Sequence, residues 1–169
     1  KELKEFLGES VSYIHLAPYG VGDVYELAKM WKKYIAEGWE GLVVHATSGI
    51  YKVKRFFPID LAVVGVTRNT GWENQIGAIQ TAFMVDKNTF VLSSKVGTGL
   101  TFDNRQEWLN WALDNEVDGP NDEIIWVDPT KNQRIIEVRV EEFRGKEESL
   151  LRYDGHSFVE SGKTQTVSL

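Results

Sequence analysis

A chain of 169 residues with 42% hydrophobic and 26% charged side chains can fill one good core, or one small domain plus part of another, and is not of disordered composition. Nineteen Lys and Arg against 25 Asp and Glu leave a net charge of −6, and the absence of cysteine excludes disulfides and thiolate metal centres. No apolar run is long enough to cross a bilayer and no charged-then-apolar leader opens the chain, so a soluble, intracellular protein (cytoplasmic, at the nucleoid, or nuclear) with no membrane partner is expected.

In chain order, Val11 to Leu16 reads as a strand and Pro18-Tyr19-Gly20 as a turn. Asp23 to Glu37 reads as a helix with Asp23 as N-cap, Glu26 as its capping-box partner and Gly38 as its stop. Trp31 and Tyr34 lie at helical spacing and are assigned to packing, while His15, with no partner at metal-ligand spacing, is given no function. Leu42-Val43-Val44 and Ile50 to Lys54 are short β-like runs, joined by a hairpin-type turn at Thr47-Ser48-Gly49.

After Pro58 the chain becomes β-rich. Strands are expected at Ile59 to Thr67, Gln75 to Val85, Thr89 to Val96, Ile124 to Val127 and Arg134 to Phe143, with a short final pair around Leu150-Arg152 and Ser157-Val159. Asp86-Lys87-Asn88 reads as a hairpin link, and a helix from Asp103 to Leu113, capped by Asp103, interrupts the series. Three strands, a helix and further strands is the order of an OB-fold, a small Greek-key barrel that binds nucleic acid. The boundary between the two regions is expected near Arg55 to Pro58. The Gly97-Thr98-Gly99 turn lacks the Lys-Ser/Thr of a phosphate loop and is assigned to backbone geometry.

Chemistry concentrates between Glu40 and Lys54. Alternation along a strand sends Lys52 and Lys54 to one side, and a hairpin brings Glu40 across from them. Two ammonium groups beside a metal-binding acid suit a polyphosphate, because phosphoryl and nucleotidyl transfer depend on positioning and charge neutralisation. Two exposed lysines on a solvated strand are the plain alternative, since short motifs also match by accident.

The segment Glu40-Gly41-Leu42-Val43-Val44-His45, then Lys52-Val53-Lys54, then Pro58-Ile59-Asp60-Leu61-Ala62-Val63-Val64-Gly65, resembles the last nucleotidyl-binding motifs of ATP-dependent DNA ligases, E-G-x-x-x-K, K-x-K and P-(I/L)-D-L-x-V-x-G. Lys95-Val96-Gly97-Thr98-Gly99 is similar to the family's VGTGF-type turn, and Leu151-Arg152 followed by Phe158 to its LR-x-P-x-F segment, so the likeness runs from about Ala36 onward. The fold class implied is α+β to mainly β: the tail of an ATP-grasp-like nucleotidyltransferase domain over residues 1–56, followed by an OB-fold barrel over 57–169. The activity implied is the sealing of 5′-phosphate/3′-hydroxyl nicks in duplex DNA through a lysyl-AMP and a DNA-adenylate. ATP or AMP and Mg2+ would serve as nucleotide and metal, with a monomer as the working unit.

By the same resemblance, Glu40 would help hold the metal, and Lys52 and Lys54 would contact the AMP α-phosphate. His45 stands where lysine or arginine is usual and supplies no permanent charge. Lys163 is what remains of a carboxyl-terminal R-x-D-K motif. Arg55, Arg68, Lys95, Arg105 and Arg152 are candidate DNA contacts, each equally readable as an ordinary surface cation. Motion about the Arg55 to Pro58 joint is a further expectation. No lysine is followed by x-Asp-Gly, so the AMP-accepting motif is missing and the chain reads as the back portion of a ligase. A non-catalytic OB-type module, an RNA ligase or capping-type nucleotidyltransferase, and an inactive paralogue share many of these features. The net charge opposes DNA binding unless local clusters such as Lys52, Lys54, Arg55 and Arg68 dominate.

Overall fold

The computed structural model describes residues 17–141 and 144–168, with side chains at 17–141 and 147–165. The expected strand at Val11 to Leu16 and its His15 lie outside the described residues. The chain divides into two compact units, Lys1–Lys54 and Arg55–Leu169. Among the described residues no helix is long and apolar enough to cross a membrane.

In the first unit, helix α1 (Val24–Ala36) is followed by the antiparallel hairpin of β1 (Gly41–Ala46) and β2 (Gly49–Lys54). Asp23 caps α1 by accepting from the Tyr25 and Glu26 amides at 2.9 and 3.0 Å. Glu26 does not complete a reciprocal box: its carboxylate takes Lys29 Nζ at 2.6 Å, one turn along the exposed side. Leu27, Met30, Trp31, Tyr34 and Ile35 form the half-buried stripe of the helix, at the 3–4 spacing an amphipathic helix requires.

The second unit is mainly β, an OB-like barrel. Its strands are β3 (Phe57–Arg68), β4 (Ile76–Met84), β5 (Thr89–Val96), β6 (Glu116–Val117), β7 (Ile124–Val127), β8 (Ile135–Val140), β9 (Arg144–Tyr153) and β10 (Phe158–Ser168), with α2 (Phe102–Asp114) after β5. They pair in the order β10-β9-β5-β4-β3-β7-β6, and β8 also pairs with β3. The sheet curls until its ends meet at a bridge between Asp118 and Ser157, where the Phe158 amide donates to the Asp118 carbonyl at 2.9 Å.

Strand β3 organises this sheet. One edge pairs with β4, while the other is shared, its first half with β8 and its second with β7. Its stretch Leu61 to Val66 is buried at every residue. Ala62 and Val64 join the interior cluster with Phe90, Trp126, Leu151, Tyr153 and Phe158, whereas Val63 and Val66 pack outside it with Ile79, Ile125 and the Leu109, Trp111 and Ala112 face of α2. Burial on both faces accounts for an uninterrupted apolar run where a half-exposed strand would alternate. Gly65 sits at a bulge in this strand, and a Cβ there would meet Ile124 Cγ2 at 2.5 Å and the Ile125 carbonyl oxygen at 2.7 Å.

Two further expectations differ from the structure. Helix α2 is capped by Thr101, which forms a reciprocal box with Asn104, so Asp103 falls in the first turn, where its charge suits the helix dipole. The final pair of strands is long: β9 and β10 pair along ten positions, from Phe158 opposite Tyr153 to Ser168 opposite Arg144. Lys163 therefore lies in a strand and not in a tail.

Inside the barrel the Tyr153 hydroxyl faces the Asp128 carboxylate without a hydrogen bond of regular geometry. Burial first, and the carboxylate second, push its pKa up to about 12. Asp128 itself is held below the usual carboxylate range: burial opposes this, but the Thr130 hydroxyl at 2.6 Å and amide at 2.8 Å outweigh it. A tyrosine with a raised folded pKa contributes stability that is whole below its unfolded value of about 10 and is lost as pH rises toward the folded value. The thermal midpoint of the wild-type barrel is therefore expected to fall between pH 10 and about 12 more steeply than that of Tyr153→Phe. Equal slopes in a pH series of melting curves would show that Tyr153 does not contribute.

Candidate functional site

The hairpin is placed by the way α1 ends. Gly38 takes φ +88°, the Trp39 amide donates to the Tyr34 carbonyl at 2.9 Å and the Gly38 amide to Ile35 at 3.1 Å. That is a Schellman stop, with its usual contact present as the Tyr34 and Trp39 rings meeting edge to face at 6.2 Å. Glu40 follows directly, so the stop fixes where its backbone enters β1.

The register is set one residue later. Gly41 lies opposite Lys54, and a Cβ on it would overlap the Val53 carbonyl oxygen and sit 3.1 Å from Lys54 Cα. Only glycine allows β1 to run this close to β2. At the far end Ala46 pairs with Gly49, whose φ of +147° closes the turn, and the Tyr51 hydroxyl braces it by donating to Ser48 Oγ at 3.0 Å.

This register sorts the side chains. His45 faces Ile50 and Val43 faces Lys52, so Val43, His45, Ile50, Lys52 and Lys54 occupy one side, and Leu42, Val44, Tyr51 and Val53 the other. Leu42, Val44 and Val53 are half-buried, whereas Val43, His45, Ile50 and Lys52 are exposed. The side with both lysines is thus open. Lys54 Nζ meets Glu40 Oε1 at 2.5 Å, with the glutamate side chain 77% exposed. An exposed ion pair of this kind contributes on the order of 0–1 kcal/mol, weak enough to be exchanged for a phosphate oxygen. Among the described residues no group of three acids or histidines could by itself hold a metal. Glu40 could serve as the single carboxylate of a Mg2+ site completed by phosphate oxygens and water.

The remaining candidates lie in the barrel unit. Arg55 stacks on the Phe57 ring, 4.9 Å from its centroid. Arg68 ends β3 and lines a polar surface groove with Glu116, Asp118 and Asp122. Lys95 is exposed on β5 opposite Gln80, and Arg152 is exposed on β9 between Thr89 and Val159. Lys163 reaches Glu147 at 4.0 Å. Arg105 is a structural clamp: its guanidinium donates to the carbonyls of Ile76, Gly77 and Gly97 at 2.9, 2.6 and 2.7 Å. The Gly97 to Gly99 turn thereby serves the backbone, with Gly99 at φ +83°.

The part played by Trp39 was not foreseen, although an aromatic five residues after Tyr34 with glycine between them is a readable Schellman signal. Arg134 was also missed. Its guanidinium lies 4.6 Å from the ring centroids of both Trp108 and Trp111, and only the folded arrangement brings the three together.

No family model and no curated protein matches this chain. Solved structures named Pmar-Lig_PreS3 and Pmar-Lig_Pre are similar to it, each at 18% identity and a TM-score of 0.49, over 84% of this chain. This chain spans 30% of the length of each of those two. The class that the chain's own fold defines is an OB-like barrel preceded by a helix and hairpin unit.

Gly41→Ala is expected to force β2 away from β1 and to destabilise the hairpin by about 1–3 kcal/mol. Cross-strand NOEs between residues 41 and 54 should disappear while barrel signals hold, and an unperturbed hairpin spectrum would refute the close approach.

Proposed function

We propose that this chain is part of an ATP-dependent DNA ligase, in which the open side of the β1–β2 hairpin binds the nucleotide phosphates and the OB-like barrel binds DNA. The observation that carries the reading is the joint placement of Glu40, Lys52 and Lys54 by one hairpin whose register depends on Gly41.

In this reading Lys52 and Lys54 hold the α-phosphate and offset the charge that grows on it in the transition state. Glu40 keeps Lys54 aligned, and it would be the carboxylate that holds a divalent cation, whose contribution there would be Lewis-acid withdrawal of charge from the α-phosphate. His45 is a diagonal neighbour of Lys52 on the same side and can donate one hydrogen bond to a phosphate oxygen. His45→Lys would add a permanent charge there and should tighten phosphate binding.

On the barrel, Arg55, Arg68, Lys95 and Arg152 are the proposed backbone contacts. Arg105 is left out of this set because it clamps three carbonyls. Nicked duplex DNA would be the partner.

The test compares binding to nicked duplexes that differ only in a 5′-adenylate at the nick. Wild type should prefer the adenylated nick, and Lys52→Ala with Lys54→Ala should lose that preference while keeping its affinity for the plain nick. An undiminished preference in the double variant would exclude the hairpin as the phosphate site. DNA binding with no adenylate preference in either protein would favour a plain OB-type binding module.

A further inference from the structure

Neither strand of the hairpin contains an aspartate or a glutamate, yet its open side carries a group whose charge is not fixed. That group is His45, and imidazole is the side chain that ordinarily gains and loses its charge around neutral pH.

The register gives His45 defined neighbours. It stands opposite Ile50, with Lys52 as its diagonal neighbour two residues further along β2. Lys54 lies beyond Lys52 on the same side and is engaged with Glu40 at 2.5 Å. Val43 and Ile50, 59% and 67% exposed, flank the histidine and bring no charge. Helix α1 packs against β1, and the half-burial of Leu42 and Val44 marks the side it covers, so its charged residues do not face His45. Among the described residues of this unit, Lys52 is therefore the charged group nearest to His45 in register, ahead of the paired Lys54 and Glu40.

A proton on His45 sets two cations side by side with no carboxylate in either strand to offset them, and an anion seated across both supplies that offset. The hydrogen bonding changes in the same direction. Neutral imidazole donates one bond, imidazolium donates two, and a charged donor bonds an anionic oxygen about twice as strongly as a neutral one. Proton and anion thus favour each other's binding, and linkage makes the effect reciprocal.

We infer that His45 makes the phosphate site of the hairpin proton-linked: an anionic phosphate ester held by Lys52 and His45 binds with uptake of a proton, so the site tightens as pH falls through the imidazole range. The inference rests on the proposed reading of the hairpin as the phosphate site and adds to it a regulation by pH.

The probe is a labelled duplex with a 5′-adenylated nick, whose diphosphate linkage keeps its charge over the range of about pH 5.5 to 8 in which imidazole changes its own. Its affinity relative to the same duplex with a 5′-hydroxyl at the nick is measured by anisotropy across that range for wild type, His45→Gln and His45→Lys. In wild type the preference for the adenylated nick should grow about 2- to 5-fold from the alkaline to the acid end, the size expected of one added exposed ion pair. His45→Gln, which keeps a hydrogen-bond donor and never charges, should show one weak preference throughout, and His45→Lys one strong preference. Equal pH dependence in wild type and His45→Gln overturns the inference and leaves the hairpin site standing. No preference for the adenylated nick in wild type at any pH removes the hairpin site and the inference together. A second readout uses wild type alone: the NMR titration of the His45 ring should move to higher pH when the adenylated duplex is added, and an unmoved titration in the presence of bound duplex overturns the inference.

Discussion

The close approach of the Gly41 backbone to the Val53 carbonyl decides which side chains of the first unit share the open side of the hairpin. A strand has a side-chain period of two, so a slip of one residue would turn Lys52 and Lys54 toward the side that now carries Leu42, Val44 and Val53. The Schellman stop at Gly38 and the Tyr34–Trp39 contact deliver the chain to that point at a fixed angle. Helix stop, glycine and hairpin turn act together to set Glu40 against Lys54 and to put Lys52 on the same side as Lys54. The Glu40–Lys54 pair follows from that placement and adds little stability of its own.

The barrel is governed by a different constraint. Strand β3 must satisfy an interior aromatic cluster on one side and α2 on the other, so it is apolar without alternation from Leu61 to Val66. Glycine again appears where backbones crowd, at Gly65 against Ile124 and Ile125, and at Gly119, where a Cβ would overlap the Trp126 ring. Arg105 and Arg134 illustrate a second use of cations in this acidic chain, one bonded to three carbonyls and the other 4.6 Å from the ring centroids of two indoles. Counting basic residues therefore overstates the cationic charge that the barrel unit presents at its surface.

Much of the barrel was legible because its inner strands carry strong patterns between clear turns. Thr89 to Val96 and Ile124 to Val127 have the bounds their flanking turn residues indicate. The outer parts of β9 and β10 were not legible, since Lys-Glu-Glu-Ser and Ser-Gly-Lys-Thr-Gln show no apolar alternation, and their pairing comes from the backbone ladder. The α2 cap was misplaced because Asp103 is itself a good capping residue, and the Thr101–Asn104 box prevails by satisfying two backbone amides at once. In the hairpin, the common side of Lys52 and Lys54 can be read from alternation alone. The need for glycine at 41 cannot, because it depends on a distance between strands.

The proposed nucleotide site is the His45, Lys52 and Lys54 side of the hairpin, and titration of isotope-labelled protein with AMP and Mg2+, followed by amide and side-chain NMR shifts, probes it residue by residue. Saturable shifts are expected at Glu40, Val43, His45, Lys52 and Lys54, with Leu42, Val44 and Val53 responding weakly. Shifts concentrated on the barrel, or equal on both sides of the hairpin, would contradict it.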